Sequence, residues 1–162
     1  MTTADNTTIA PVRRSVSVKA NPDKAFRVFT EGMDTWWPRS HHIGRTPMTK
    51  STMQGRVGGR CFSEHDDGSE CDFGEILVWE PPHRFVMAWK IDATWQYQPD
   101  LSKTSEVEVT FTPEPGGSTR VDLEHRHFER LGEGGAIMRA GVDTPQGWVG
   151  ILQDFAARAE AE

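Results

Sequence analysis

Two kinds of ionisable side chain stand where they could move a proton inside an apolar chamber. Glu64 follows Phe62 at the two-residue spacing that puts both side chains on one face of a strand. His125 and His127 continue an apolar series in the same way. A carboxyl group in an apolar chamber has its pKa raised by desolvation, and an imidazole titrates near neutrality. Glu64 and His125 are therefore candidate catalytic acids or bases. The alternatives are a glutamate that reaches water at the sheet margin and a hydrogen-bonded histidine pair at the polar end of a pocket.

The orientation of Glu64 depends on the hairpin that contains it. Asp67-Gly68 is typical of a two-residue type I′ turn, and pairing Asp66 with Ser69 would place Glu64 opposite Cys71. The same register predicts two further cross-strand pairs, Phe62 with Phe73 and Arg60 with Glu75. One face of this ribbon is then apolar and faces inward, because side chains alternate between the two faces of a strand.

Alternating residues predict further strands on both sides of this hairpin. The segment 12–20 reads as a first strand, and pairing Trp79 with Phe85 keeps the large side chains of the next hairpin on one side. In the last hairpin, three inward residues face three others: Val107, Val109 and Phe111 against Val121, Leu123 and His125. The result is an antiparallel meander with one continuous apolar face.

Two helices are predicted from their first turns. Asn21 and Pro22 form a typical helix start, and Thr144 and Pro145 repeat it near the C-terminal end. The second helix should run to about Ala159 and carries apolar residues on one face: Trp148, Ile151, Leu152, Phe155 and Ala159. Such a stripe would cover the apolar face of the sheet.

The predicted ligand-binding residues belong to this inward face, to the helix that covers it, and to the segment containing Trp36 and Trp37. We interpret these two tryptophans as a wedge with one ring in the core and one near the pocket mouth. The long connection 92–103 suggests a functional loop over the pocket, and the alternative is a plain surface loop anchored by one aromatic side chain. The predicted lining residues are Trp37, Phe62, Glu64, Phe73, Leu77, Met87, Trp89, Val109, Leu123, His125, Trp148 and Leu152.

Composition and motifs exclude several classes of function. The net charge is −6 with both signs interspersed, which predicts no nucleic-acid partner. The sequence contains no apolar run long enough for a membrane helix and no secretory signal pattern, so we predict a cytoplasmic protein without a membrane partner. It also lacks a nucleophile elbow, a P-loop and a dinucleotide fingerprint, and the predicted cofactor and metal content is none. In the predicted register Cys61 and Cys71 lie on opposite faces, which predicts free thiols.

The chain of 162 residues is long enough for one domain with a sizeable core. We predict a flexible tail at residues 1–10 and a single domain at residues 11–162. The sequence leaves monomer and homodimer open.

Several motifs together resemble a known family. They are Val57-Gly58-Gly59-Arg60, Asp67-Gly68, the run from Gly74 to Pro82, the strand through Phe85 and Trp89, and Gly147-Trp148. In this combination the chain resembles the START-like, or SRPBCC, superfamily, and within it the branch named for the activator of heat-shock protein 90 ATPase. The resemblance extends from about Pro11 to Ala159. It implies an α+β helix-grip fold: a curved antiparallel sheet around a long C-terminal helix, two short helices after the first strand, and an internal cavity.

The resemblance also implies three functions. The preferred hypothesis is non-catalytic binding of a small apolar or aromatic molecule between the sheet and the C-terminal helix. The alternative is an acid/base enzyme of the polyketide cyclase or dehydratase type, and a weaker one is a chaperone-linked interaction module. Fold resemblance alone does not decide between a binder and an enzyme, and the lack of a recognisable catalytic motif favours the binder.

Overall fold

The computed structural model describes residues 9–161 and contains one curved sheet of seven antiparallel strands. Along the sheet the strands follow the order β1-β7-β6-β5-β4-β3-β2, so sequential strands are neighbours except where β1 joins β7. Their bounds are β1 Val12–Val18, β2 Met48–Met53, β3 Arg60–His65, β4 Glu70–Glu80, β5 Arg84–Trp89, β6 Ser105–Pro113 and β7 Thr119–Arg126. The α+β helix-grip fold is thus confirmed.

Three α-helices accompany the sheet: α1 Pro22–Thr30, α2 Gly135–Val142 and α3 Trp148–Glu160. Short 3-10 helices lie at Met33–Thr35, Leu101–Lys103 and Phe128–Gly134. At the start of α1 the Asn21 side chain accepts a hydrogen bond from the Lys24 backbone N–H at 2.8 Å, as its position before Pro22 predicts. The first 3-10 helix supplies the second short helix expected after β1.

The C-terminal helix begins three residues later than predicted. The Gly147 N–H donates to the Thr144 carbonyl at 2.8 Å, so this segment closes a turn instead of opening the helix. Helix α2 was not predicted, because the pair Gly134-Gly135 at its start is typical of a turn. A Cβ atom at Gly134 would lie 2.2 Å from the Cβ of Ala93. Glycine therefore lets α2 lie against the 91–97 loop.

The core lies between the concave face of the sheet and α1 and α3. Phe155 of α3 is fully buried, and its ring centroid lies 4.8 Å from that of Phe29 and 5.5 Å from that of Trp36. Two predicted registers are confirmed. Trp79 of β4 pairs with Phe85 of β5, and Val109 of β6 pairs with Leu123 of β7. Aromatic contacts thus fill most of the space under the helix.

The register of the β3–β4 hairpin differs from the prediction. Its loop has three residues, because the His65 N–H donates to the Ser69 carbonyl, and in this loop only Gly68 has a positive φ, +87°. Glu64 therefore pairs with Glu70, and Phe62 with Asp72. A bulge next to Phe73 restores the predicted register beyond it, so Arg60 does pair with Glu75.

This shift turns two predicted pocket residues outward. In β3 the inner side chains are Cys61, Ser63 and His65, all almost completely buried, while Phe62 and Glu64 alternate with them on the outer face. The outer environment is polar: the guanidinium of Arg60 lies 4.1 Å from the Phe62 ring centroid and 2.6 Å from Asp72. The prediction that Phe62 and Glu64 face the interior is wrong.

A second bulge, in β4, displaces Leu77 in the same way. Ile76 pairs with Met87 and is fully buried, whereas Leu77 is only half-buried and lies outside the core cluster. The predicted pairing of Leu77 with Met87 is therefore wrong by one residue. In both hairpins a one-residue insertion moves the predicted side chain to the other face.

Both cysteines are free thiols, as predicted. The register gives a different reason, since Cys71 pairs with Ser63 while Cys61 pairs with Gly74 on the other side of the bulge. Burial raises the pKa of the Cys71 thiol above its ordinary value, which keeps it protonated at neutral pH.

Residues 1–8 of the predicted tail, which spans residues 1–10, lie outside the described residues. At its end, Ile9 packs against the core, and the Ala10 carbonyl accepts a hydrogen bond from Arg139 of α2 at 2.7 Å. Among residues 9–161 every helix is too short or too polar to cross a membrane.

The fold predicts a large stability cost for removing the first side chain of α3. Trp148 is 3% exposed, and Trp148→Ala should lower the free energy of unfolding by about 3–5 kcal/mol, because the truncation leaves a cavity. Urea unfolding measures this difference. Gln153→Ala on the exposed face of α3 is the control and should change stability by less than about 0.5 kcal/mol. A loss below about 1 kcal/mol for Trp148→Ala would contradict the packing described.

Candidate functional site

The largest apolar pocket lies at one end of the groove between sheet and helix, where α3 begins. It has a volume of about 310 Å³ and its walls are mostly hydrophobic. We call it the end pocket. Its lining residues are Trp37, Ser40, His41, His42, Ile43, Phe73, Trp89, Ile91, Trp95, Gly141, Val142, Gln146, Gly147, Trp148 and Ile151.

Aromatic side chains close the inner end of this pocket. The rings of Trp37 and Phe73 are stacked with 13° between their planes, and Trp148 meets the edges of Trp37 and Trp89. Behind them lies a void of only about 10 Å³. That is about the space of a single water molecule, so the deeper groove is filled with side chains.

His125 is fully buried behind Trp148 and does not line the end pocket. The indole N–H of Trp148 donates to His125 Nδ1 at 3.0 Å, so the imidazole proton resides on Nε2, which donates to Ser105 Oγ at 2.7 Å. Desolvation by burial lowers the pKa of His125 to about 3. A neutral imidazole with both nitrogens engaged holds α3 against β7 and β6, and it has no free position for a substrate.

His127 does not continue the inward series of β7. The strand ends at Arg126, and His127 adopts a left-handed backbone conformation with φ +67°. Its Nδ1 lies 3.4 Å from Glu129, and its side chain is 39% exposed. The predicted pairing of His125 and His127 at a pocket is therefore wrong.

Two other histidines do line the pocket. His41 Nε2 donates to the Gln146 carbonyl at 2.6 Å, and its Nδ1 accepts from Ser40 Oγ at 2.9 Å, so both nitrogens are engaged. His42 Nδ1 accepts the Gly44 backbone N–H at 3.1 Å, which leaves the proton on Nε2. Desolvation, followed by the neighbouring His65, lowers the pKa of His42. Neutral His42 thus offers an N–H donor that has no protein acceptor among residues 9–161.

The 91–97 loop holds Trp95 over the pocket in a conformation that aromatic residues rarely adopt, with φ +63°. Asp92 fixes the loop: its Oδ1 accepts the backbone N–H groups of Thr94 and Gln96 at 2.9 and 3.0 Å. Burial opposes the ionisation of Asp92, but these hydrogen bonds outweigh it and lower its pKa. Trp95 in turn packs over Gly141, where an added Cβ would come within 3.2 Å of its ring.

The structure distributes the twelve predicted lining residues over four locations. Trp37, Phe73, Trp89 and Trp148 line the end pocket. Met87 and Val109 line the small void, while Leu123, His125 and Leu152 are buried in the core. Phe62, Glu64 and Leu77 lie outside the inner face, for the register reasons given above.

Sequence reasoning missed the histidines and helix α2 of the pocket wall, whereas Trp95 lies in the connection 92–103 that was predicted to cover the pocket. His41 and His42 were not among the predicted lining residues, and neither were Gly141 and Val142 of α2. A signal was available in the Trp36-Trp37-Pro38 segment, which places the histidines just after a wedge of two indoles. The wedge itself agrees with the structure, since Trp36 packs on Phe155 while Trp37 reaches the pocket.

Metal ligation has no support in this site. Over residues 9–161 the structure contains no group of three or more His, Cys, Asp or Glu side chains that could hold a metal ion.

The curved sheet, the long C-terminal helix and the pocket between them define a helix-grip protein of the polyketide cyclase and SRPBCC group. The sequence matches the model of the family described as "Activator of Hsp90 ATPase homolog 1-like protein" over residues 19–160. The chain belongs to this family. A comparison with curated proteins gives no match.

Two solved structures are similar in both sequence and fold. The first is described as an anthrahydroquino-gamma-pyrone synthase; it is 39% identical, with 93% of this chain and 97% of that chain covered and a TM-score of 0.65. The second is the self-sacrificing resistance protein CalC from Micromonospora echinospora, 32% identical, with 92% and 93% covered and a TM-score of 0.66. A protein from Nitrosomonas europaea has a TM-score of 0.65 at 14% identity over 98% and 97% of the chains, and shows the fold alone.

The burial of His125 predicts how stability depends on pH. Its pKa is about 3 in the folded protein and about 6.5 when unfolded, so between these values only the unfolded chain takes up the proton. Stability should therefore fall as pH falls from about 6.5 to 3, with a contribution from this group of about 1.4 kcal/mol per pH unit.

The variant His125→Gln tests this prediction, because glutamine keeps a hydrogen-bond donor and an acceptor and removes the titration. Urea unfolding at several pH values measures the difference between the two proteins, which should shrink toward acid pH. A constant difference would show that His125 titrates normally.

Proposed function

We propose that this protein binds a flat, fused-ring aromatic molecule in the end pocket without changing it chemically. The observation that carries this proposal is the wall of four aromatic side chains, Trp37, Phe73, Trp89 and Trp148. Stacked and edge-on rings suit a planar aromatic ligand, because aromatic pairs favour offset stacking and T-shaped contacts beyond the apolar area they bury.

Pocket size limits the ligand. The volume of about 310 Å³ is at the lower end of the roughly 300–1,000 Å³ found for small-molecule sites. The closed inner end, with its void of about 10 Å³, leaves no room for a long apolar tail along the groove. These dimensions favour a compact ligand of about three fused rings.

Two N–H groups suggest that the ligand carries carbonyl or quinone oxygens. His42 Nε2 has no acceptor within residues 9–161, and the indole N–H of Trp89 is buried there without a partner. A buried unsatisfied donor costs about 1–3 kcal/mol, so a ligand acceptor that reaches the Trp89 N–H gains that energy back, whereas His42, which is only partly buried, offers an ordinary hydrogen bond. A planar ketone or quinone supplies such acceptors at the edge of its ring system.

The similarity to solved structures supports the same ligand class. The 39% identical relative is described as a synthase of an anthrahydroquino-gamma-pyrone, which is a fused aromatic skeleton. We carry over to this chain only that class of molecule.

Binding without catalysis is favoured by the protonation states in the pocket. His41 has both nitrogens engaged, and His42 presents a proton instead of a lone pair, because Gly44 occupies its Nδ1. The two residues that sequence reasoning offered as acid or base, Glu64 and His125, do not line the pocket. A general base needs an accessible lone pair near the proton it removes. The described lining residues supply anchors for a ligand and lack a matched acid and base.

Emodin, a three-ring hydroxyanthraquinone, tests the binding proposal. Gly141→Val should weaken emodin binding by about tenfold, because a Cβ at this position already crowds Trp95 and the larger side chain pushes the ring into the pocket. Isothermal titration calorimetry measures the affinity. Ala140→Val, on the adjacent exposed position of α2, is the matched control and should bind emodin like the wild type. Equal affinities for all three proteins would place emodin elsewhere, and no binding to the wild type would count against the ligand class.

An acid/base enzyme of the polyketide cyclase type is the second candidate function. The observation in its favour is the relative at 39% identity that is described as a synthase. In such an enzyme the His42 N–H would polarise a carbonyl oxygen of the substrate, since neutral His42 is a donor.

The bound molecule itself distinguishes binder from enzyme. Native mass spectrometry of wild type and of His42→Phe, purified from the same cells, should detect one and the same compound in both proteins. His42→Phe keeps an aromatic ring and removes the N–H group, so a binder loses affinity by about 0.5–1.5 kcal/mol and retains its ligand class. An enzyme would instead carry product in the wild type and unconverted substrate in the variant. That second pattern would overturn the non-catalytic proposal.

A further inference from the structure

A second depression adjoins the end pocket on the outside of the 91–97 loop. It has a volume of about 720 Å³ and shares Ile43 and Trp95 with the end pocket. We call it the side groove. Its lining residues are Ile43, Arg45, Glu70, Cys71, Asp72, Trp95, Gln96 and Tyr97. Because two residues belong to both depressions, a ligand seated in the end pocket can continue past Trp95 without crossing the protein interior.

We propose that the side groove holds a neutral, hydroxylated, sugar-like substituent of the molecule whose ring system occupies the end pocket. This inference rests on the proposed function, and it adds that the natural ligand is larger than the end pocket. The preferred ligand class is then a glycosylated fused-ring aromatic compound instead of the bare ring system.

Two exposed aromatic rings form one side of the groove. Trp95 is 47% exposed and Tyr97 45% exposed, which is unusual for side chains of this size outside a binding surface. Their exposure is maintained by the loop: Tyr97 forms a bridge with Ile91, and Asp92 holds Trp95 at positive φ. Backbone strain of this kind persists only where the surrounding structure imposes it. The C–H face of a sugar ring packs well against aromatic faces presented in this way.

Charged groups on the other side of the groove supply hydrogen-bonding partners for hydroxyl groups. Two of these groups are the carboxylates of Glu70 and Asp72. Arg60 lies behind both, with its Nη2 at 2.9 Å from Glu70 and 2.6 Å from Asp72. Each carboxylate oxygen has a second lone pair, so both groups can still accept from ligand hydroxyls. Arg45 is an exposed donor of the opposite charge. Two fixed carboxylates disfavour an anionic substituent, whereas a polyhydroxylated ring offers donors to them and acceptors to Arg45.

Emodin and its two monoglucosides, emodin-8-O-glucoside and emodin-1-O-glucoside, test this proposal by isothermal titration calorimetry on the full chain. At least one glucoside should bind wild type about tenfold more tightly than emodin does. Tyr97→Ala and Glu70→Gln should each reduce that advantage severalfold, and neither should change the affinity for emodin itself. Leu101→Ala replaces an exposed apolar residue outside the groove and is the matched control; it should leave all affinities unchanged.

The possible results separate this proposal from the proposed function. Emodin binding with no gain for either glucoside overturns the side groove and leaves the end pocket intact. A gain that survives both Tyr97→Ala and Glu70→Gln also overturns it, since the sugar would then lie elsewhere. Absence of emodin binding, or no effect of Gly141→Val on it, overturns the proposed function and the side groove with it.

Discussion

The hydrogen bond from the Trp148 indole to His125 is the interaction on which the rest of this structure depends. It joins the first residue of α3 to strand β7 of the sheet, at 3.0 Å, in surroundings from which water is excluded. Because a buried imidazole without partners would be costly, the pair is satisfied only when helix and sheet are in their observed positions. The same indole forms the inner wall of the end pocket. The Trp148 side chain therefore contributes both to the stability of the fold and to the wall of the ligand pocket.

Aromatic packing determines where a ligand can be accommodated. Under α3 the rings of Phe29, Phe155 and their neighbours interlock at centroid distances near 5 Å, and the residual void is negligible. Dense packing of this kind stabilises the fold through many dispersion contacts. It also removes the long internal cavity that a helix-grip fold can hold, so the usable space lies at the end of the groove. The pocket is consequently bounded by loops and by α2 as much as by the sheet.

The loop side of the pocket is held by close approaches and by strain. Glycines at 134 and 141 allow the 91–97 loop to lie on α2, and Asp92 fixes the loop from within. These features keep Trp95 between the end pocket and the side groove. A rigid aromatic partition lowers the conformational cost of binding a planar ligand, because the wall is already in place. Loops carried by a stable sheet commonly perform this role.

The sequence by itself determined the fold class, the helix at each end and the three hairpins β3–β4, β4–β5 and β6–β7, because side-chain alternation and helix periodicity are local properties that burial enforces over whole elements. It also identified Trp37, Phe73, Trp89 and Trp148 as candidates for the pocket. Only the tertiary structure decided that Glu64 faces outward and that His125 is a structural hydrogen-bond partner. A bulge inserts a single residue, and its position depends on contacts with neighbouring strands that no local pattern encodes. The end pocket likewise arises where α2, α3 and two loops meet, since segments distant in sequence must first assemble before the space between them exists.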